Sequence, residues 1–180
     1  MRNMADNDVT DWHAVYEEQL PRVYNFFRYR LGIDDDATAQ DLTASTFEKA
    51  WRARRQYQRN LAAFSTWLFT IARNTAADYF RQHQSLLANQ VPLEEAQSQR
   101  LMGAESLEDI VQRQLDLIEL NRLLGGLPDR ERELIALRYG AGLTNRAIAG
   151  LLKLSEGNVA QILHRVLDKL RADVIEGLRR

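Results

Sequence analysis

The chain has 180 residues, of which 45% are hydrophobic, with a formal net charge of −1 and no cysteine. This composition is typical of a globular protein with one medium or two small domains. Disulfides, thiolate metal sites and thiol nucleophiles are excluded, and the three histidines, His13, His83 and His164, are too scattered in sequence to suggest a metal cluster.

No cofactor is therefore expected. The first ten residues lack the apolar core of a signal peptide, and no run approaches the roughly 18 apolar residues needed to cross a bilayer. We expect a cytoplasmic protein without membrane insertion.

A first domain is predicted over residues 12–84, after a flexible N-terminus at 1–11. Apolar residues recur at helical spacing, with turn signals at Leu31-Gly32 and Arg59-Asn60. All three tryptophans and all six phenylalanines lie in the first 80 residues, and between residues 53 and 83 aromatic residues alternate with arginines. Cations beside aromatic faces suit single-stranded nucleic acid. Ordinary core packing and a membrane-surface helix are the open alternatives.

A flexible linker is predicted over residues 85–106, which are rich in Gln, Ala, Ser and Glu and contain Pro92 and Gly103. A second domain follows over residues 107–180. Its first helix runs to Leu124 and ends at Gly125-Gly126, and the next begins at Pro128. The predicted fold class is all-α, with two small helical domains joined by this linker.

The segment from Thr144 to Arg171 predicts a helix-turn-helix, because its apolar residues fit two short helices joined by a tight turn. Ser155 is a natural N-cap for the second helix. Ala149 and Gly157 are expected where the two helices approach closely. Lys153 occupies a turn position that usually holds glycine, where left-handed backbone would cost about 1 kcal/mol.

The outward face of the second helix carries Asn158, Gln161, His164 and Arg165, which can bond base edges or phosphates in a major groove. A helical hairpin that packs against protein is the alternative. Arg165 and Lys169 are the only fixed positive charges of the predicted recognition helix, so phosphate anchoring by it should be modest. Because the whole chain has a net charge of −1, a partner is expected to help it onto DNA.

Three segments in this order resemble the sigma-70 family of bacterial initiation factors, in its extracytoplasmic-function (ECF) group. AQDLTASTFEKAW at residues 39–51 is similar to region 2.2, and FSTWLFTIARNTAADYFR at 64–81 is similar to regions 2.3 and 2.4. Residues 127–165, beginning LPDRERELIALRYG, are similar to region 4. The resemblance implies a factor without an active site, which binds core RNA polymerase and directs promoter-specific initiation.

The resemblance also implies a role for particular residues. The helix that docks on the clamp helices of core polymerase would carry Asp41, Leu42, Phe47 and Glu48, with core packing as the alternative for Phe47. A flipped base of the single-stranded minus-ten element would be captured at the loop 57–63 and the helix beside it, by Tyr57, Asn60, Phe64, Trp67, Asn74, Asp78 and Arg81. The duplex minus-thirty-five element would be read by Glu156, Asn158, Gln161, His164, Arg165 and Lys169.

The resemblance implies a further partner, and other classes of protein were weighed against it. An anti-sigma factor is expected as a further partner, and the linker would thread into the polymerase cleft or act as a plain tether. A dimeric repressor or activator would explain the second domain but not the first, and would bind palindromic duplex without polymerase. An enzyme lacks support from phosphate-binding, metal-binding or triad motifs. A sigma-like protein that docks on polymerase without opening DNA is the nearest rival.

Overall fold

The computed structural model describes residues 12–32, 35–58, 63–87 and 118–177. They form helices throughout, with no strand among them. In chain order these are α1 (Trp12–Leu31), α2 (Asp36–Ala53), a 3₁₀ turn (Arg54–Gln56), α3 (Phe64–Leu87), α4 (118–125), α5 (Asp129–Ile135), a π-helical turn (Ala136–Gly140), α6 (Asn145–Leu152) and α7 (Glu156–Gly177).

The predicted all-α class is confirmed for these residues. The break predicted at Leu31-Gly32 separates α1 from α2, and Gly32 has a φ of 133° that favours glycine. Helix α3 extends to Leu87, three residues into the stretch predicted as linker. The rest of that linker, the predicted N-terminus at 1–11 and residues 107–117 of the predicted long helix lie outside the described residues.

Short polar side chains begin three of the helices. Asp35 accepts from the Thr38 amide, Thr144 from Ala147 and Ser155 from Asn158, each at 3.2 Å. Each bond satisfies one of the amides that the first helical turn leaves without a partner. The predicted N-cap at Ser155 is thus confirmed, and it fixes where α7 begins.

The core is one hydrophobic cluster that runs through both halves of the chain. Phe26 of α1 lies at its centre, with its ring 5.2 Å from that of Phe27 and 5.8 Å from that of Phe69 on α3. Leu134, Leu137, Ile148, Val159 and Val166 continue the cluster into the second half. The two predicted domains therefore share a packed boundary.

The turn between α6 and α7 has the expected left-handed residue. Lys153 has φ 54° and ψ 45°, and the Leu154 amide reaches back to the Ala149 carbonyl at 3.0 Å, the bond that closes a Schellman turn. Ala149 is buried as expected. The expectation for Gly157 was wrong: this residue is exposed, and a Cβ atom there would meet nothing within 4 Å.

Replacing Lys153 with glycine is expected to raise the free energy of unfolding by about 0.5–1 kcal/mol. Glycine removes the Cβ strain of the left-handed conformation, and its greater entropy in the unfolded chain offsets part of that gain. Urea denaturation measures the change. Lys153→Ala is the matched control, because it removes the same side chain and retains a Cβ atom, so an equal gain from alanine would contradict the backbone explanation.

No helix in the described ranges is long and apolar enough to cross a membrane.

Candidate nucleic-acid interface

A group of aromatic rings lies where α3 begins. Phe64 and Trp67 have ring centroids 5.4 Å apart, and both contact Tyr57, at 5.4 and 5.2 Å. Tyr57 is 5% exposed, whereas Phe64 and Trp67 are partly exposed. Tyr57 therefore packs beneath Phe64 and Trp67, and the accessible ring faces belong to these two residues. Asn60, the predicted polar edge of this pocket, lies outside the described residues.

Two further tryptophans extend the ring group. Trp12 packs edge-to-face against Phe64 at 5.7 Å and against Trp51 at 5.4 Å. Trp51 is 49% exposed, and the Arg54 guanidinium stacks 3.9 Å above its ring. Sequence reasoning did not include these three residues among the site residues. Only Arg54 lies within the stretch where aromatic residues alternate with arginines, and that pattern does not say which rings meet.

A polar stripe continues from the rings along α3. Trp67, Asn74 and Arg81 are seven residues apart and share one face of the helix, with Asp78 between them. Asn74 is exposed, and Asp78 accepts hydrogen bonds from Arg81 and from Lys49 of α2. Lys49 was missed by sequence reasoning, because its approach to α3 depends on how the two helices pack.

The predicted docking helix, α2, presents a mixed surface. Asp41 and Glu48 are exposed and lie seven residues apart on one face, and Leu42 is partly buried. Phe47 is only 8% exposed, and its ring packs 4.7 Å from that of Tyr16 on α1. Phe47 therefore packs mostly inside the protein, as the alternative interpretation expected. The accessible carboxylates of this surface are Asp41 and Glu48, and Glu48 pairs with the exposed Arg52.

An apolar cavity of about 360 Å³ opens between α1 and α2, close to that acidic surface. Its wall includes Tyr16, Leu20 and Thr43. Tyr24 lies at its rim and donates a hydrogen bond to Asp36. Burial, together with this bond, raises the pKa of the Tyr24 hydroxyl to about 12, so the hydroxyl remains a donor at physiological pH.

The exposed face of α7 carries all six side chains predicted to read duplex DNA. The inner face buries Val159, Leu163 and Val166, which hold the helix against the core. The outer face leaves these residues exposed: Glu156, Asn158, Gln161, His164, Arg165 and Lys169. The helix thus has the amphipathic division that a groove-reading helix requires.

A carboxylate pairs with one of the two fixed cations on this face, and another contacts His164. Arg165 Nη2 lies 3.2 Å from Glu131 Oε1, and His164 Nδ1 lies 2.8 Å from Asp168 Oδ2. Lys169 makes no ion pair within the described residues. The arrangement favours base-edge contacts over strong phosphate binding, since counterion release requires unpaired cations.

Two family models match this chain. The family model for Sigma-70 region 2 matches residues 15–86, and that for Sigma-70, region 4 matches residues 123–172, which together cover more than half of the chain. The ECF RNA polymerase sigma factor BldN of Streptomyces coelicolor is 30% identical over 159 residues, covering 87% of this chain and 57% of BldN. The ECF RNA polymerase sigma factor SigM of Bacillus subtilis is 28% identical over 162 residues, covering 88% of this chain and 91% of SigM.

Solved structures show a similar fold. The sigma factor RpoE in its complex with the anti-sigma factor NepR from Bartonella quintana superposes with a TM-score of 0.71 at 22% identity, covering 91% of this chain and 96% of that one. CnrH, in complex with the cytosolic domain of CnrY, gives a TM-score of 0.60 at 23% identity, covering 91% and 84%.

Proposed function

This chain belongs to the sigma-70 family, in its ECF group, and we propose that it binds core RNA polymerase and directs promoter-specific transcription initiation. The single observation that carries the proposal is the presence of region 2 and region 4 in one chain, in the family's order. It acts as an initiation factor in the cytoplasm, and the polymerase supplies the chemistry of RNA synthesis.

The surface of α2 is proposed to dock on the clamp helices of core polymerase. Asp41 and Glu48 supply exposed carboxylates, and Leu42 supplies an apolar contact between them. Phe47 acts from within, because its packing against Tyr16 holds α2 on α1. Exposed carboxylates steer a basic partner and fix the register of the contact, while the buried ring preserves the shape of the surface.

The ring group and the α3 stripe are proposed to bind the single-stranded minus-ten element. Phe64 and Trp67 offer partly exposed faces for an unstacked base, and Tyr57 supports them. Asn74 offers amide groups for a base edge, and Arg81 offers a cation for the backbone. Stacking on aromatic rings repays the few kcal/mol that it costs to take a base out of the duplex. Asp78 orients Arg81 and Lys49, and Asn60 is proposed to belong to the same pocket.

The outer face of α7 is proposed to read the minus-thirty-five duplex. Amide side chains pair with adenine edges and arginine with guanine, so Asn158, Gln161 and Arg165 are the specificity-determining residues. His164 and Lys169 contact the backbone, and Glu156, near the beginning of the helix, accepts from cytosine. The carboxylates that pair with the cations keep intrinsic affinity low, so that polymerase is needed for stable promoter binding.

An anti-sigma factor is proposed as a second protein partner. RpoE of Bartonella quintana was solved in complex with the anti-sigma factor NepR, and CnrH in complex with the cytosolic domain of CnrY. A helical inhibitor that covered the α1–α2 cavity and the acidic face of α2 would exclude core polymerase, because both would need the same surface.

The decisive experiment is multi-round transcription on fragmented genomic DNA with sigma-free core polymerase and this protein, followed by mapping of RNA 5′ ends. Discrete starts that share two upstream motifs are expected. A complex that binds core stably but gives no starts would contradict the proposal and favour a polymerase-docked regulator. Binding of palindromic duplex without polymerase would favour a dimeric repressor or activator.

Replacing Arg165 and Lys169 together with alanine is expected to weaken promoter binding of the holoenzyme by about ten- to a hundredfold. Arg165→Ala removes a base-edge contact. Lys169→Ala removes a phosphate contact, which also reduces the slope of log binding constant against log salt concentration by about 1. Footprinting at several salt concentrations measures both effects.

Arg122→Ala combined with Arg130→Ala is the matched control. It removes the same charge from two exposed positions of the same half of the chain that lie outside α7. If the two double variants lose affinity equally, the effect belongs to net charge, and α7 is not the reading helix that we propose.

A further inference from the structure

An accessible tryptophan lies at the end of α2, outside the set of residues proposed above to bind DNA. Trp51 is 49% exposed, although tryptophan is a highly buried residue type on average. The preceding residue, Ala50, is fully buried. The last turn of α2 is therefore anchored in the core while the indole of Trp51 remains accessible to a ligand.

Two neighbours hold the Trp51 indole in place. The Arg54 guanidinium lies 3.9 Å from the ring centroid, and Arg54 Nη1 donates to the Trp51 carbonyl at 2.7 Å, which keeps the guanidinium over the ring. Trp12 of α1 packs against the indole at 5.4 Å, with the ring planes at 85°. Trp51 and Arg54, supported by Trp12, form a stack that we call the Trp51 platform.

The Trp51 platform has the chemistry of a site for an unpaired nucleobase. Nucleobases stack on aromatic rings and on arginine guanidinium planes. Arg54 and the exposed Arg55 supply positive charge for the phosphates of the same strand. Within the described part of the chain, no carboxylate forms an ion pair with either arginine, whereas the neighbouring Arg52 pairs with Glu48. Unpaired cations are the ones that bind phosphates effectively.

The platform is continuous with the ring group proposed to capture the flipped minus-ten base. Phe64 contacts Trp67 at 5.4 Å on one side and Trp12 at 5.7 Å on the other. Trp12 in turn contacts Trp51. Three ring contacts thus join Trp67 to Trp51 across α1, α2 and α3. A single strand that follows such a row of rings can place one base at each end of it.

Protein is the other class of partner that Trp51 could meet, because α2 is also the helix proposed to dock on polymerase. The surroundings of Trp51 favour nucleic acid. Its ring contacts lead towards α3, and the cations beside it are arginines, whereas the proposed docking residues Asp41 and Glu48 are carboxylates. A strand of negative charge suits the arginine side of this helix end.

We infer that the Trp51 platform is a second stacking site for the single-stranded minus-ten strand, which holds a base a few nucleotides away from the one captured at Phe64 and Trp67. The inference rests on the proposed function and deepens it, because two stacked bases then hold the opened DNA. Stacking is tolerant of sequence, since every base has an aromatic face. The platform therefore strengthens the hold on the opened strand without reading its sequence.

Abasic scanning of the strand tests the second site. Holoenzyme is titrated with single-stranded oligonucleotides that carry the non-template minus-ten sequence of a mapped promoter, each lacking one base. Loss of the base that stacks on Trp51 should weaken binding by roughly tenfold, whereas exchanging that base for another should change little. Trp51→Ala should weaken binding of the intact strand by a similar factor and abolish the sensitivity at that position. Trp67→Ala should abolish sensitivity at a different position.

Three further variants separate stacking from charge and from general damage. Arg54→Lys keeps the charge but removes the planar guanidinium, so it should weaken binding of the intact strand by several-fold. Trp51→Phe retains a ring and should restore most of the affinity that Trp51→Ala loses. Tyr139→Ala is the matched control, because it removes a ring that is 48% exposed in region 4, and it should leave the abasic profile unchanged.

The two proposals fail in different ways. If Trp51→Ala keeps the full abasic profile while Trp67→Ala loses its own position, the platform is overturned and the proposed function stands. If Trp51→Ala weakens binding to core polymerase but leaves the affinity of assembled holoenzyme for the strand unchanged, Trp51 is a protein-docking residue and the platform is overturned. If neither variant alters the profile, the proposed minus-ten site is overturned together with the platform.

Discussion

Trp67→Ala is expected to leave binding to core polymerase unchanged and to reduce open-complex formation by roughly ten- to a hundredfold. Trp67 lies between the ring group and the polar stripe of α3, and its partly exposed face is available to an unstacked base. Loss of one base–aromatic stack costs about 1–3 kcal/mol. This cost raises the free energy of the state in which the base has left the duplex. Permanganate reactivity of promoter thymines measures the fraction of opened DNA.

A promoter that is already mismatched across the minus-ten element distinguishes a defect in DNA opening from a defect in another step. On that template the unstacking cost has been removed, so Trp67→Ala should recover much of its activity. Tyr139→Ala is the matched control, because it removes an aromatic ring that is 48% exposed in region 4, outside the ring group. Equal defects in the two variants, or no recovery on the mismatched template, would contradict the role of Trp67.

The local chemistry of region 4 could be predicted from the sequence because it depends on neighbouring residues. Ser155 caps α7 through an amide three residues away, and Lys153 adopts the left-handed conformation that ends α6. The exposed side of α7 followed from helical periodicity alone. In each case the determining atoms lie within one or two turns of the chain.

Burial within region 2 was harder to predict, because the same residue types serve packing and recognition. Aromatic residues near α3 fit base stacking and fit a core equally well. Tyr57 is buried beneath Phe64 and Trp67, and Phe47 packs against Tyr16. Which rings remain accessible depends on how α1, α2 and α3 pack together, and no local pattern encodes that.

The contact between the two regions could not be predicted from periodicity. Gly157 was expected at a close approach because it lies in the helix-turn-helix, yet the space around it is open, and Gly140 makes the close contact instead. The partner of Gly140 is the backbone near Asn25, more than a hundred residues earlier. The ion pairs of Arg30 and Arg73 join residues that are 99 and 60 positions apart, so charge counts along the chain gave no sign of them.

Phe26→Ala is expected to have the largest effect on folding, lowering the free energy of unfolding by about 3–5 kcal/mol. Phe26 is fully buried, packs against Phe27 and Phe69, and lies beside Gly140 at the boundary of the two regions. The loss combines the transfer free energy of the ring with a cavity that the surrounding helices fill only partly. It is a large fraction of the roughly 5–15 kcal/mol that stabilises a typical domain.

Urea denaturation followed by tryptophan fluorescence measures this loss in region 2, since all three tryptophans lie in the first 67 residues. The urea midpoint should fall, while the slope of the free energy of unfolding against urea concentration stays the same, because the surface exposed on unfolding hardly changes. Tyr139→Ala provides the control: it removes an aromatic ring that is 48% exposed in region 4, and should cost little. If Phe26→Ala lowers the midpoint no more than Tyr139→Ala does, then Phe26 does not lie at the centre of a continuous core, and the packing that joins the two regions is weaker than their contacts imply.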